Sequence, residues 1–287
     1  SGDFSACLDS VDPSHYSALA VPNQDGKLTY QAYNSQGDTL PDFSHCGYGG
    51  GGKAIPNVPV VYTIDGPSGG DDRALIQEAI DSVALLTPDE NGIHGAILVS
   101  KGTYYIGGTI RLHASGVVLR GEGSDELTGT VLVATGISQH TLIEIAGSGG
   151  RGEDSSTRVD IADDYVPSGS YSFNVINASQ FSPGDTIIVR RRSTAAWISA
   201  LGMHQIPPRS DGGLVTQWEA GSYDLLFDRV ITKIVGDTIT VDAPLTNAIQ
   251  SEYGGGYIYR YDFPGRIENV GVEDMAGISE YDDSITE

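Results

Sequence analysis

The chain has 287 residues, long enough to bury a large core as one long domain or two ordinary ones. It carries 38 acidic against 16 basic residues, a net charge of -22 at pH 7, and an excess of that size repels polyanions and excludes nucleic acid as a partner of the surface at large. The 38 glycines exceed the usual share and imply many tight turns, and no apolar run approaches the length of a membrane span.

Residues 1–57 are rich in Gly, Pro, Asn, Asp and Ser, and read as an extended segment that gains structure only by packing on another part of the chain. Within them PDFSHCGYGGGGKAIP (41–56) contains G-x-x-x-x-G-K, one residue short of a phosphate-binding loop. Such a loop needs a buried strand before it, a helix after it and a Ser or Thr following the Lys. Here Ala54 follows Lys53, Pro56 and Pro59 block a helix, and TLPDFSHC is no buried strand, so the glycines are read as backbone geometry that permits close packing. Cys7 and Cys46 are predicted to form one disulfide, which suits a secreted protein; two unpaired thiols are the alternative. Asn177-Ala178-Ser179 is a glycosylation acceptor triplet and points to the same compartment.

VPVVYTI (58–64) is a short β-branched run, followed by a turn-rich stretch and by RALIQEAIDSVALL, in which Leu75, Ile76, Ala79, Ile80 and Val83 recur at helical spacing behind Asp71 or Asp72 as a cap. Short apolar runs come next, GAILVS, GTYYIGGTIRL, SGVVLRGEG, GTVLVAT and HTLIEIAG, too closely spaced for intervening helices. That excludes an ordinary βαβ sheet and leaves an antiparallel sandwich or a parallel β-helix. The runs are near-continuous Val, Ile and Leu triplets ending in Gly instead of alternating, which favours stacked coils.

GDDRALIQEAIDSVA, GAILVSKGTYYIGGTIRLHASGVVLRGEG and GTVLVAT together resemble the opening of the pectate-lyase-like superfamily of right-handed β-helices. The resemblance implies an all-β fold, a right-handed parallel β-helix (solenoid) whose N-terminal end is capped by the helix, with catalysis in a groove on the outer face of the middle coils. The first 57 residues would then pack on that end of the solenoid. After a polar stretch the texture changes: SYSFNVINASQFSPGDTIIVRRR, DRVITKIVGDTITVDAPL with Gly236-Asp237 at a hairpin turn, and GGYIYRYD read as a small antiparallel β subdomain inserted between roughly 166 and 262. That order resembles the insert of one largely uncharacterised branch of the same superfamily. The organisation expected is an N-terminal segment (1–57), a cap helix and first coils (58–150), a linker and inserted subdomain (151–265), and resumed coils (266–287). SEYDDSITE breaks off as coils resume, without a terminal cap, so the polypeptide is expected to continue in a further C-terminal segment that holds the main catalytic residues.

Asp160, Asp163 and Asp164 are candidate calcium ligands or a solvated acidic loop. No paired Cys or His spacing suggests zinc. The richest cluster is RRRSTAAWISALGMHQIPPRSDGGLVTQWEAGSYD, which holds both tryptophans. Trp197, Trp218, His204 and Arg191 are candidate substrate-binding residues, because aromatic faces stack on sugar rings and an arginine beside an acid binds hydroxyls or a uronate carboxylate. Arg209, Asp211, Glu219 and Asp224 are the catalytic candidates: a lyase needs a base and a neutralising cation, and a hydrolase needs two carboxylic acids with one kept protonated. The alternative is a satellite core of Trp197, Ile198, Leu201 and Met203. Two functions follow: a secreted polysaccharide lyase or glycoside hydrolase, or a non-catalytic extracellular filament or surface-coat component that self-associates on the same scaffold.

Overall fold

The computed structural model describes residues 17–25, 27–282 and 284. Two compact units emerge, one joining the residues up to Ala54 with Arg151–Asp262, the other joining Ile55–Gly150 with the residues from Phe263 on.

The first unit starts with a two-stranded ribbon, β1 (Ala20–Pro22) antiparallel to β2 (Leu28–Tyr30). The segment that follows is tied to its own unit by aspartates. Buried Asp38 accepts from Tyr165 Oη (2.6 Å), Asn34 Nδ2 (2.6 Å) and Ser168 N (2.8 Å). Asp42 accepts from Tyr171 Oη at 3.0 Å, and His45 Nε2 lies 2.9 Å from that hydroxyl. The segment expected to lie on the solenoid thus makes these bonds with residues 165–171 of the antiparallel unit. Cys46 is a free, exposed thiol, so the expected bridge is not formed at this end, and Cys7 lies outside the described residues. Gly47 and Gly49–Gly52 all have φ between +59° and +107°, and a Cβ on Gly51 would sit 2.2 Å from the Ser44 carbonyl oxygen. Gly51 alone is closed off by neighbouring backbone; Gly50 and Gly52 have open space, and there only the positive φ favours glycine.

In the second unit β3 (Val60–Ile64) leads to α1 (Arg73–Ala84) and then to two similar circuits: β4 (Gly95–Val99), β5 (Gly102–Ile106), β6 (Ile110–Leu112), and β7 (Val117–Gly121), β8 (Thr130–Ala134), β9 (Ile143–Ile145). Consecutive strands enter three different sheets, and each pairs in parallel with its counterpart one circuit on: Ile97 with Leu119, Tyr104 with Leu132, Ile110 with Ile143. β3 pairs in parallel with β4. Each circuit thus adds one strand in parallel to each of three sheets. The apolar runs are continuous because the strands are covered on both faces: Ile97, Ile106, Ile110, Leu112 and Leu119 lie in one core and have no solvent exposure, while Ala96 and Val118 pack with Val58 in another. Ile76, Ala79, Ile80 and Val83, one stripe of α1, join the same core.

Asp71 Oδ1 accepts from Arg73 N at the first turn of α1 and from Gly107 N, both at 3.0 Å. Asp72, fully buried, accepts instead from Ser68 N (2.6 Å) and Tyr105 N (3.3 Å), so the two neighbouring aspartates fasten the helix and the loop to β5. Tight corners need glycine. Gly116 has φ +72°, and a Cβ there would stand 2.1 Å from the Gly92 carbonyl oxygen.

Antiparallel pairing takes over in the first unit with β10 (Gly152–Glu153), β11 (Val159–Asp160), β12 (Tyr165–Val166), β13 (Ser172–Asn174), β14 (Thr186–Arg191), α2 (Ala195–Ala200), β15 (Leu225–Val235), β16 (Thr238–Val241), β17 (Ile249–Gln250) and β18 (Gly256–Asp262). The sheet order is β10-β18-β14-β15-β16-β13, with β11 also on β18 and β12 paired with β17. Gly236-Asp237 joins β15 to β16 with Val235 opposite Thr238, and the SPGD stretch turns through Ser182 N donating to Asp185 Oδ2 at 3.0 Å. One face of the sheet buries Phe173, Ile187, Val189, Phe227, Ile231, Ile239 and Ile258. The other carries Ile188, Tyr257 and Tyr259. The three acids offered for calcium turn to separate partners, Asp160 to Arg192, Asp163 to Asn174 and Asp164 to Ser251. Asn177 is exposed, its side-chain oxygen taken by Ser179 N at 2.9 Å.

In the second unit β19 (Gly271–Glu273) adds to β7 and β20 (Ala276–Ser279) adds to β8, both in parallel, so a third circuit begins on the first two sheets. Gly121 lies at that join: a Cβ would come 2.2 Å from the Asp274 carbonyl oxygen. Among the described residues no helix is long and apolar enough to cross a membrane.

Candidate functional site

The loop between β14 and β15 is fixed at its base by one carboxylate. Asp224 Oδ1 accepts from Ser193 N and Ser193 Oγ, each at 2.7 Å, and Asp224 Oδ2 accepts from Arg190 Nε at 2.6 Å. Gly221 N donates to Ser193 O at 2.8 Å and Tyr223 N donates to Ser193 Oγ at 3.1 Å, so buried Ser193 clamps the returning arm. Burial pushes the Asp224 carboxyl up, but the donors from Ser193 and Arg190 outweigh it and hold the group below its usual range. Asp224 is a carboxylate with a structural task, unsuited to donate a proton as a general acid.

Above that base Thr194 caps α2, its Oγ1 accepting from Trp197 N at 3.3 Å and donating to Tyr253 O at 2.8 Å. Ile198 is buried, and Trp218 N donates to Met203 O at 3.0 Å, which brings the second arm of the loop to the first. The aromatic rings then meet. Trp218 stacks on Tyr223 with centroids 3.9 Å apart and planes 17° from parallel, and Trp197 stands 6.1 Å from Trp218 at 41°. Both tryptophans are half-buried and Tyr223 is exposed.

Arg191 backs this cluster from inside. It is only 2% exposed, its guanidinium lies 4.1 Å from the Trp197 ring centroid, and its Nε donates to Ala248 O at 2.9 Å. Burial lowers its titration below the usual arginine range. The sequence reading put Arg191 against a ligand; its position beneath Trp197 makes it a support for the ring. Arg209 Nε and Asp211 Oδ2 approach each other at 3.6 Å, both well exposed. Glu219 is exposed, its backbone bonded to Ser222, and His204 is exposed as well. The structure therefore gathers Trp197, Trp218, Arg191 and Asp224 into one assembly and sets Arg209 with Asp211 in a separate exposed pair. The satellite-core alternative holds for Ile198 but not for Leu201, which is 50% exposed.

Two groups were missed by sequence reasoning. Tyr223 completes the stack, and nothing in its spacing from Trp218 announces it. The other is on the second face of the sheet, where Arg158, Arg192 and Arg190 lie 4.3, 4.8 and 5.5 Å from the centroid of Tyr257. Each has an acid: Arg158 bonds Glu153 at 2.5 Å, Arg192 bonds Asp160 at 2.6 Å, and Arg190 bonds Asp224. Near its edge an open cavity of about 390 Å³ is lined by Gly152, Glu153, Asp154, Arg260, Tyr261 and Asp262. No cluster of three or more His, Cys, Asp or Glu side chains among the described residues could hold a metal ion.

By its strand register the chain is a mostly β protein, with parallel-paired circuits in one unit and an antiparallel sheet in the other. The solved structures to which it is similar include the Gp54 tailspike of Acinetobacter baumannii bacteriophage AP22 in complex with A. baumannii capsular saccharide (13% identity, 71% of this chain and 27% of that one, TM-score 0.36). They also include the tailspike gp61 of Pseudomonas phage phi297 (17%, 72% and 27%, TM-score 0.37) and the tailspike gp49 of Pseudomonas phage LKA1 (16%, 70% and 27%, TM-score 0.34). The chain thus spans about a quarter of the length of each of these proteins. No family model and no curated protein matches the sequence.

Proposed function

We propose that this chain belongs to an extracellular polysaccharide-acting protein built on a right-handed parallel β-helix, and that residues 151–265 form an inserted subdomain whose aromatic platform binds glycan. The observation that carries this reading is the Trp218–Tyr223 stack, extended by Trp197 and held on a loop pinned by Ser193 and Asp224. Partly exposed aromatic faces on a rigidly anchored loop suit the apolar face of a sugar ring, and their fixed geometry lowers the ordering cost of binding.

Among the described residues every carboxyl with a resolved displacement is held down, Asp38, Asp42, Asp71, Asp89, Asp125, Asp224 and Asp282, so none of these seven is stored as the protonated acid that glycoside hydrolysis uses. The test is retention of the chain on a panel of immobilised polysaccharides, wild type against Trp218→Ala and Tyr223→Ala. The expected result is retention on at least one polysaccharide with affinity weakened about tenfold in each variant, equivalent to about 1.4 kcal/mol. Undiminished retention in both variants would overturn the reading.

A further inference from the structure

Resting on that reading, we infer that the platform selects neutral sugars and rejects uronates and other anionic sugars. Recognition of a sugar carboxylate needs a cation that is free to turn towards it, in the best case a bidentate arginine. Of the four arginines that the sequence gathers around the tryptophans, three are held by bonds elsewhere and the fourth stands beside an acid. Arg190 is bonded to Asp224 and stands 3.8 Å from Glu153. Arg191 is buried beneath Trp197 against the Ala248 carbonyl. Arg192 donates to Asp160 Oδ1 at 2.6 Å and to Gly254 O at 2.7 Å. Arg209 faces Asp211.

The loop keeps a negative excess once Asp224 is set against its partner Arg190: Asp211 and Glu219 stand against Arg209, with no lysine and with His204 as the remaining basic side chain. The whole chain adds a net charge of -22 behind it. A carboxylate laid on the Trp218–Tyr223 face gains no partner and meets like charge, whereas a hydroxymethyl group at the same ring position meets no such penalty.

The experiment uses hexasaccharides matched except at C6: glucose, mannose and galactose oligomers against glucuronate, mannuronate and galacturonate oligomers. Tryptophan fluorescence of the chain is titrated with each at pH 7.5 in about 20 mM and about 500 mM salt, where the Debye length shrinks from roughly 20 Å to a few ångströms. At least one neutral oligomer is expected to bind, with its uronate counterpart weaker by tenfold or more at low salt and the gap narrowing at high salt. The double variant Asp211→Asn, Glu219→Gln is expected to narrow the gap at low salt as well. A uronate that binds as tightly as its neutral counterpart, or more tightly as salt falls, overturns the selectivity and leaves glycan binding intact. Failure of all six to perturb the fluorescence, together with undiminished retention of Trp218→Ala on the polysaccharide panel, overturns the platform and the selectivity with it.

Discussion

The two units use the same β-forming residues to opposite ends. In the coiled unit the inward side chains are covered by neighbouring circuits and by α1, so Ile97, Leu119 and Tyr104 lose all exposure, and with the opposite face also buried the apolar runs are continuous. In the antiparallel unit the side chains alternate: Ile187, Val189 and Phe227 fill a core on one face, while Ile188, Arg190 and Tyr257 occupy the other. The first arrangement consumes its residues in packing and has few left for chemistry. The second leaves a face and a long loop on which arginines, acids and aromatic rings can be arranged, and the candidate site is found there.

The comparison predicts where substitutions hurt most. Leu119→Ala in the coils removes a fully buried side chain held between two circuits and should cost about 3 kcal/mol, read as a lowered urea midpoint at unchanged slope. Gly121→Ala tests the same region from the opposite direction. Its new methyl group would have to displace the Asp274 backbone, so it should destabilise although it adds apolar volume. A neutral Gly121→Ala would show that the third circuit is not seated on β7 and β8.

These contrasts also explain what was legible in the sequence. The strand runs and α1 were, because a repeated core leaves a repeated apolar pattern, and the corner glycines were visible as punctuation. Their steric partners were not, since Gly121 faces a carbonyl 153 residues further along the chain. The attachment of the N-terminal segment was not legible for a related reason: Asp38 and Asp42 act through single hydrogen bonds from Tyr165, Ser168 and Tyr171, and isolated polar contacts across about 130 residues have no periodic signature. Trp197 and Trp218 stood out by composition. The inward position of Arg191 was readable in principle, because alternation along TIIVRR puts it on the side of Ile187 and Val189.

The N-terminal attachment is the next contrast, being polar where the coils are apolar. Asp38→Ala leaves the Tyr165 hydroxyl and the Ser168 amide without their acceptor and should cost roughly 2–3 kcal/mol, read as faster proteolysis of the segment before Ala54. The same attachment should be pH-dependent at both ends of the scale. Burial pushes Asp38 up, but its hydrogen bonds from Tyr165, Asn34 and Ser168 hold it below the usual range; Asp42 is likewise held down by Ser44, Tyr171 and His45 against its burial. A depressed carboxyl stabilises above its ordinary range and stops doing so as pH falls through the lowered value. Burial, then Asp38, raises Tyr165 to about 12, and burial, then Asp42, does the same for Tyr171. That contribution is present below pH 10 and lost as pH rises through about 12. Protease sensitivity of the segment should therefore be lowest across neutral pH and rise in acid and in strong alkali. A flat profile would assign the attachment to something other than these four groups.

The smallest effect belongs to a position where the antiparallel unit imitates the coils, a glycine at a corner. Gly236 turns β15 into β16 at φ +59°, yet nothing lies within 4 Å of where its Cβ would be, unlike Gly116 or Gly121. Only the backbone conformation resists a side chain there, so Gly236→Ala should cost about 1 kcal/mol and Gly236→Asn less, because asparagine tolerates the left-handed region. The pair separates two reasons for keeping glycine. If Gly236→Asn is as damaging as Gly121→Ala, the hairpin is sterically closed in the way the coil corners are, and the contrast between an open antiparallel unit and a packed coiled one fails at its simplest point.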